Sequence, residues 1–241
     1  VTVRAWTTRL AHLALLLLTT QLGVSHAEAG FALPECEYGD RVIAGDPWRD
    51  HAELLLDTSF RLPDTPDPPD LVSVRAAGFA SDHLVRALLI DDLSALNRAA
   101  RAAGVRLAVQ SAYRSYGYQA QVFAGWVAQL GRERALRVSA RPGHSEHQLG
   151  TAIDLRSADG PAPWDVADWG ATPDGAWLLE NAHRFGFVLS YPAGEEARTC
   201  YDYEPWHYRW VGREQAAAVH AAGEPLRVWL WRHHPPQERD P

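Results

Sequence analysis

The 241-residue chain contains no lysine, so all 23 of its basic residues are arginine. We read that as genomic base composition rather than mechanism. Positive charge is scarce relative to the 30 acidic residues, and the net charge of −7 argues against a nucleic-acid partner, whose phosphates call for basic patches. Cysteine is nearly absent. Only Cys36 and Cys200 occur, too few for a cysteine-built metal or iron–sulfur site. No internal repeat is visible, and no stretch beyond the first 27 residues is apolar enough to span a bilayer, which takes about 20 residues.

What is present starts with an N-terminal address. Arg4 and Arg9 accompany the apolar run "LAHLALLLLTTQLGV", and the small residues of "SHAEAG" follow. This layout predicts a secretory signal peptide over 1–27, cleaved after Ala27 or Ala29, with a retained anchor as the alternative. Removing two arginines and no acid leaves 21 basic against 30 acidic residues, a net charge of −9. No cysteine stands at the cleavage site to carry a lipid. The expected location is therefore outside the membrane, periplasmic or extracellular at the cell wall. In that oxidising setting Cys36 and Cys200 are expected to form a disulfide, tying the mature N-terminus to the segment before "YDYEPWHY".

Hydrophobic content of 46% with 10 tryptophans suffices for one packed core. Residues 28–70 read as a lead-in ending in "LPDTPDPPD", where proline removes donors and fixes φ. The main domain is expected over 71–232 and a frayed tail over 233–241. "SDHLVRALLIDDLSALNRAARAAG" predicts a helix with Ser81 as N-cap, buried Val85, Leu89, Leu93, Leu96 and Ala100, and Gly104 as stop. "VRLAVQSAY" predicts a strand. Ser115 caps a second helix to about Leu130, burying Val122, Phe123, Trp126 and Leu130. "TAIDLR", "FVLSY" and "WHYRWVG" read as strands, "TPDGAWLLENAHRFGF" and "REQAAAVHAAG" as helices. Without a regular βαβ rhythm, the pattern predicts a single α+β domain: a small antiparallel sheet flanked by helices.

The chemistry concentrates in "RPGHSEHQLGTAIDL" and "EPWHY". A hydrolytic zinc site takes three His, Asp or Glu ligands and leaves a position for water. In "TAIDLR" the two-residue period sets Asp154 opposite Ile153 and Leu155, and Gly150 permits a sharp turn that brings His147 towards it. His207 faces away from Trp206, Tyr208 and Trp210. Glu204 would share its site only through an irregular turn at Pro205. Arg114, just before an N-cap, suits a carboxylate, and Gln119 lies one turn further on. Each of these residues also has a bland reading: a surface histidine, an Asp154–Arg156 pair, an exposed Arg114 ion pair. His144 and His183 are given only bland roles, in the loop and at a helix end.

"SAYRSYGYQ", "PGHSEHQLGTAIDL" and "EPWHYRWVG", in this order, resemble the VanY-type zinc D-alanyl-D-alanine carboxypeptidases, relatives of the D-Ala-D-Ala dipeptidases. The likeness runs from about Leu54 to Arg213. It implies the zinc DD-peptidase fold, Zn2+ held by His147, Asp154 and His207, Glu204 as catalytic base, and Arg114, Gln119 and Ser145 around the substrate's terminal carboxylate. His144 and Glu146 are then not ligands. The implied reaction is removal of the terminal D-Ala from a peptidoglycan stem peptide. Its neighbours are L,D-carboxypeptidase, dipeptidase and endopeptidase activity on the same site, and, more remotely, a non-catalytic cell-wall-binding module.

Overall fold

The computed structural model describes residues 1–2, 32–64 and 66–238, so the expected signal segment lies almost wholly outside the described residues. A compact unit runs from Leu33 to the end of the chain. The lead-in thus belongs to the same unit as the domain it precedes. Two short strands, β1 (Arg41–Val42) and β2 (Phe60–Arg61), pair in parallel within it.

After the proline-rich stretch, β3 (Leu71–Ser73) pairs antiparallel with β4 (Leu84–Arg86). This corrects the helix start expected at Ser81. The backbone of residues 84–86 satisfies its hydrogen bonds across to β3, and Arg86 is fixed by Asp70 at 2.8 Å, so the chain stays extended. A short 3-10 turn at Ala87–Leu89 then leads into α1 (Ile90–Ala102). The apolar spacing was nonetheless a true guide to burial, since Val85, Leu89, Leu93, Leu96 and Ala100 are all buried.

β5 (Leu107–Ser111) is followed by α2 (Tyr116–Leu130), whose N-cap Ser115 accepts from the Tyr118 N–H, and by α3 (Arg132–Val138). Burial on α2 is narrower than its sequence suggests. Gln119 and Phe123 are buried, but Leu130 is 44% exposed, because the helix end projects beyond the core and turns at Gly131 into α3. β6 (Ala152–Ser157), α4 (Pro173–Asn181) with Thr172 capping the Gly175 N–H, and β7 (Phe187–Leu189) follow. The chain ends with α5 (Glu196–Thr199), β8 (His207–Trp210), α6 (Arg213–Ala222) and α7 (Leu226–His233). The tail is not frayed through residue 238: Ala44 donates its N–H to the Gln237 carbonyl, and Ile43 bridges Glu238.

The central sheet is antiparallel with order β5-β6-β8-β7. Ile153, Leu155, Phe187 and Tyr208 join α1 and α4 in one apolar cluster. A second cluster joins the lead-in residues Ile43, Leu55, Leu56, Phe60 and Leu62 to Val219 of α6 and Leu226 and Leu230 of α7. Full burial of each such side chain is worth about 1.5–3 kcal/mol. The first cluster takes its sheet residues from β6, β8 and β7, and the second reaches the sheet through Val188 of β7 and Val211 just beyond β8. Cys36 and Cys200 are joined by a disulfide with Cα atoms 5.3 Å apart.

Candidate metal centre and substrate pocket

Three elements converge at the middle of the sheet. Asp154 on β6 and His207 on β8 are direct cross-strand partners, so the pleat sends both side chains to the same face. His207 Nδ1 lies 3.0 Å from Asp154 Oδ1. His147 arrives from a 3-10 turn over Glu146–Leu149 that ends at Gly150. Gly150 has φ +71°, and a Cβ there would stand 2.8 Å from Arg86 Cγ, so only glycine makes this turn without displacement. A β-bulge between Val109 and Ser111 bends β5 towards the site. The next carbonyl, that of Ala112, lies 2.6 Å from His147 Nδ1.

That contact decides a tautomer. A carbonyl only accepts, so His147 Nδ1 carries the proton and Nε2 presents a lone pair. Nε2 is buried without a hydrogen-bond partner, although Asp154 Oδ2 is only 3.3 Å away. Two acceptors face one another with no donor between them. Ligand atoms of His147, Asp154 and His207 all lie within 4.8 Å of one another, and the residues are buried. Two imidazoles and a carboxylate converging on a donorless gap are a fitting ligand set for Zn2+.

Electrostatics favour a cation at His147 and Asp154, whereas at His207 a metal would have to displace a proton. Burial, helped by the Arg114 guanidinium, pushes His147 down to about 4, which keeps it neutral and available as a donor. At Asp154 burial is outweighed by His147 and His207, and the carboxyl is held far below its ordinary range. At His207 burial is outweighed by the carboxylates of Asp154 and Glu146, and the ring is pushed up to about 10.

Glu204 reaches the same place by the irregular turn its position demanded. The His207 N–H closes a turn onto the Glu204 carbonyl at 3.0 Å, across Pro205 and Trp206. Its carboxylate Oε2 then stands 3.9 Å from His207 Nδ1 with the side chain 14% exposed. Burial pushes this carboxyl up to about 8.

The three residues expected at the substrate's carboxylate carry unpartnered polar atoms. Ser145 Oγ, Gln119 Oε1 and Arg114 Nε are buried and have no hydrogen-bond partner among the described residues. Gln119 donates through Nε2 to the Ala140 carbonyl, and Arg114 donates weakly to Ser111 Oγ at 3.4 Å. The Arg114 N–H also bonds the His147 carbonyl, locking the two loops together. His144 is bound between the Asp57 carbonyl and Asp40, and the His183 ring stacks on His220.

Residues 82–213 match the family model for VanY, D-alanyl-D-alanine carboxypeptidase. The chain belongs to the VanY family. It is 36% identical over 170 residues to a putative carboxypeptidase, YodJ, of Bacillus subtilis, a match covering 68% of this chain and 62% of YodJ. The chain therefore spans less than two thirds of that relative. Among solved structures, VanYB in complex with D-alanine-D-alanine superposes with TM-score 0.66 and 30% identity, over 76% of this chain and 99% of that one. A vancomycin-resistance D,D-pentapeptidase VanY in complex with Zn(II) gives TM-score 0.64 at 30% identity, over 74% and 98%. The L,D-carboxypeptidase LdcB gives 0.64 at 28% identity, over 80% and 97%.

Sequence reasoning passed over one member of this VanY-family site. Glu146, set aside as a ligand, accepts from His207 Nε2 at 2.9 Å and from Arg209 at 2.9 Å. Its signal lay in β8, where Arg209 shares the face of His207 two residues on, and a buried arginine requires a carboxylate.

Proposed function

We propose that the chain is an exported zinc D-alanyl-D-alanine carboxypeptidase that removes the terminal D-Ala from peptidoglycan stem peptides. The observation that carries this reading is the donorless gap between His147 Nε2 and Asp154 Oδ2, with His207 Nδ1 beside it. Zn2+ held by His147, Asp154 and His207 would lower the pKa of water and polarise the scissile carbonyl.

The chain's own residues do the rest. Glu204 takes a proton from the attacking water and passes it to the nitrogen of the leaving amino acid as the peptide bond breaks. Its raised affinity for protons suits both halves of that transfer, and would be offset by a divalent cation held by the three ligands. Arg114 sits at the entrance to α2, where free N–H groups add to its positive charge, and there it grips the terminal carboxylate. Ser145 offers a hydroxyl donor to the same group. Gln119 gives one amide N–H to the Ala140 carbonyl and keeps a second N–H and the Oε1 acceptor for the substrate.

An exopeptidase follows from Arg114, since a peptide extended beyond the last residue has no carboxylate to place there. The test is release of D-Ala from a pentapeptide ending in D-Ala-D-Ala, with and without a chelator. Release that stops on chelation and returns with zinc supports the reading. No release from pentapeptide at full zinc occupancy overturns it, and release from a tetrapeptide alone would replace D,D- with L,D-specificity.

A further inference from the structure

The two imidazoles of the metal triad are held from behind in different ways. His147 gives its Nδ1 proton to a neutral backbone carbonyl. His207 has a carboxylate behind it: Glu146 Oε2 lies 2.9 Å from His207 Nε2 and also accepts from the Ser190 hydroxyl at 2.6 Å. The other oxygen, Oε1, takes a hydrogen bond from Arg209 Nη1 at 2.9 Å. Glu146 and Arg209 are both buried, Arg209 completely. Arg209 is fixed in turn by the carbonyls of His51 and Leu54, at 2.6 and 2.7 Å from its Nη2. The carboxylate is thus fully assigned, with one donor on one oxygen and two on the other.

The geometry points to Glu146 as the positioning residue of His207: clamped by Arg209 and Ser190, it binds the Nε2 proton, commits Nδ1 to the metal and strengthens it as a donor. The inference rests on the metal-site reading above. Its physical basis is that a ring nitrogen can serve a metal only if the proton resides on the other nitrogen, and a charged acceptor secures that arrangement more strongly than a neutral one. The clamp fixes where the carboxylate points: Ser190 holds the oxygen that faces His207, and Arg209 holds the other. A consequence is that the lead-in does more than fill space. By holding Arg209 through the carbonyls of His51 and Leu54, it reaches the metal ligand in three steps.

The test is zinc affinity, measured by chelator competition on the full chain, together with long-range ¹H–¹⁵N spectra of the histidines. In the wild-type zinc-loaded protein, the proton of His207 is expected on Nε2 and the metal on Nδ1. In Glu146→Gln, zinc affinity is expected to fall about 10–100-fold. Hydrolysis by this variant should recover with excess zinc, whereas that of Glu204→Gln should not. Because the single change leaves Arg209 without its anion, the double variant Glu146→Leu with Arg209→Met removes both charges, and it should show the same zinc deficit. A proton on Nδ1 of His207 in the zinc-loaded wild type overturns the inference whatever the variants do. So does a folded variant that binds zinc within twofold of wild type. Failure of the wild type itself to bind zinc at these three residues would instead overturn the metal-site reading.

Discussion

Two buried polar clusters in this molecule are built from similar residues and end in opposite conditions. In the first, Asp57 and Arg227 pair at 2.7 Å between the lead-in and α7. Asp57 also accepts from the N–H groups of Ser59 and Phe60, and Arg227 donates to the carbonyls of Arg198 and Pro34. In the second, around His147, three atoms on three residues find no partner among the described residues: His147 Nε2, Ser145 Oγ and Arg114 Nε. Burying a polar group without a hydrogen bond costs about 1–3 kcal/mol, so such a cluster is retained for what it will bind. The first cluster is finished by the fold. The second is left for a ligand to finish.

The largest expected consequence falls at the unfinished cluster. Glu204→Gln should lower kcat on a D-Ala-D-Ala pentapeptide by about 10²–10⁴-fold while leaving stoichiometric zinc bound. Loss of zinc along with activity would instead make Glu204 part of the metal's own shell. Next in size is Asp57→Ala, which strands Arg227 in the interior and should cost about 3–5 kcal/mol in urea unfolding of the zinc-free protein. Its counterpart, Ser145→Ala, deletes a hydroxyl that the protein does not use and should shift stability by no more than about 0.5 kcal/mol. If the two variants were equally destabilising, the distinction between the clusters would collapse.

Below these stands the disulfide. It closes 164 residues of chain and anchors Cys36 two positions from Pro34, whose carbonyl Arg227 holds. Reduction and alkylation should therefore remove about 2–5 kcal/mol, seen as a lower Tm, chiefly by releasing the unfolded chain from that closure. Free thiols in the untreated protein would show that the bond is not made.

The division between the clusters also explains what the sequence could reveal. The candidate triad and Glu204 were legible chiefly through the family motifs: the two-residue period and the Gly150 turn suggested how Asp154 and His147 could meet, whereas the same period set Glu204 opposite His207, and only the resemblance joined them. Helix α1 was legible in its buried face but not in its start, since β3 pairs with residues 84–86 from outside that window. The exposure of Leu130 was hidden for a similar reason: periodicity identifies an apolar stripe, whereas the length of core available to cover it is a tertiary fact. Glu146 was invisible as a functional residue because its value comes from His207 and Arg209, 61 and 63 positions away. Residues that act on a ligand carry motifs. Residues that act on those residues are scattered.

One pH-dependent effect is the most direct reading of how the site is poised before metal arrives. Burial raises the Glu204 carboxyl from its ordinary 4.5 to about 8, so the folded, zinc-free protein holds that proton more tightly than the unfolded chain does. The stability this provides is complete below about 4.5 and is lost as pH rises through 8. Glu204→Gln mimics the protonated form and does not titrate. Zinc-free Glu204→Gln should therefore match wild type near pH 4.5 and exceed it progressively up to pH 8, by about 4 kcal/mol at the top of that range in denaturant unfolding. Added zinc should narrow the gap, because a cation beside the carboxylate favours the charge that burial opposes. Parallel pH profiles without metal would mean that Glu204 is already ionised in the folded protein, and that its readiness as a base owes nothing to its burial.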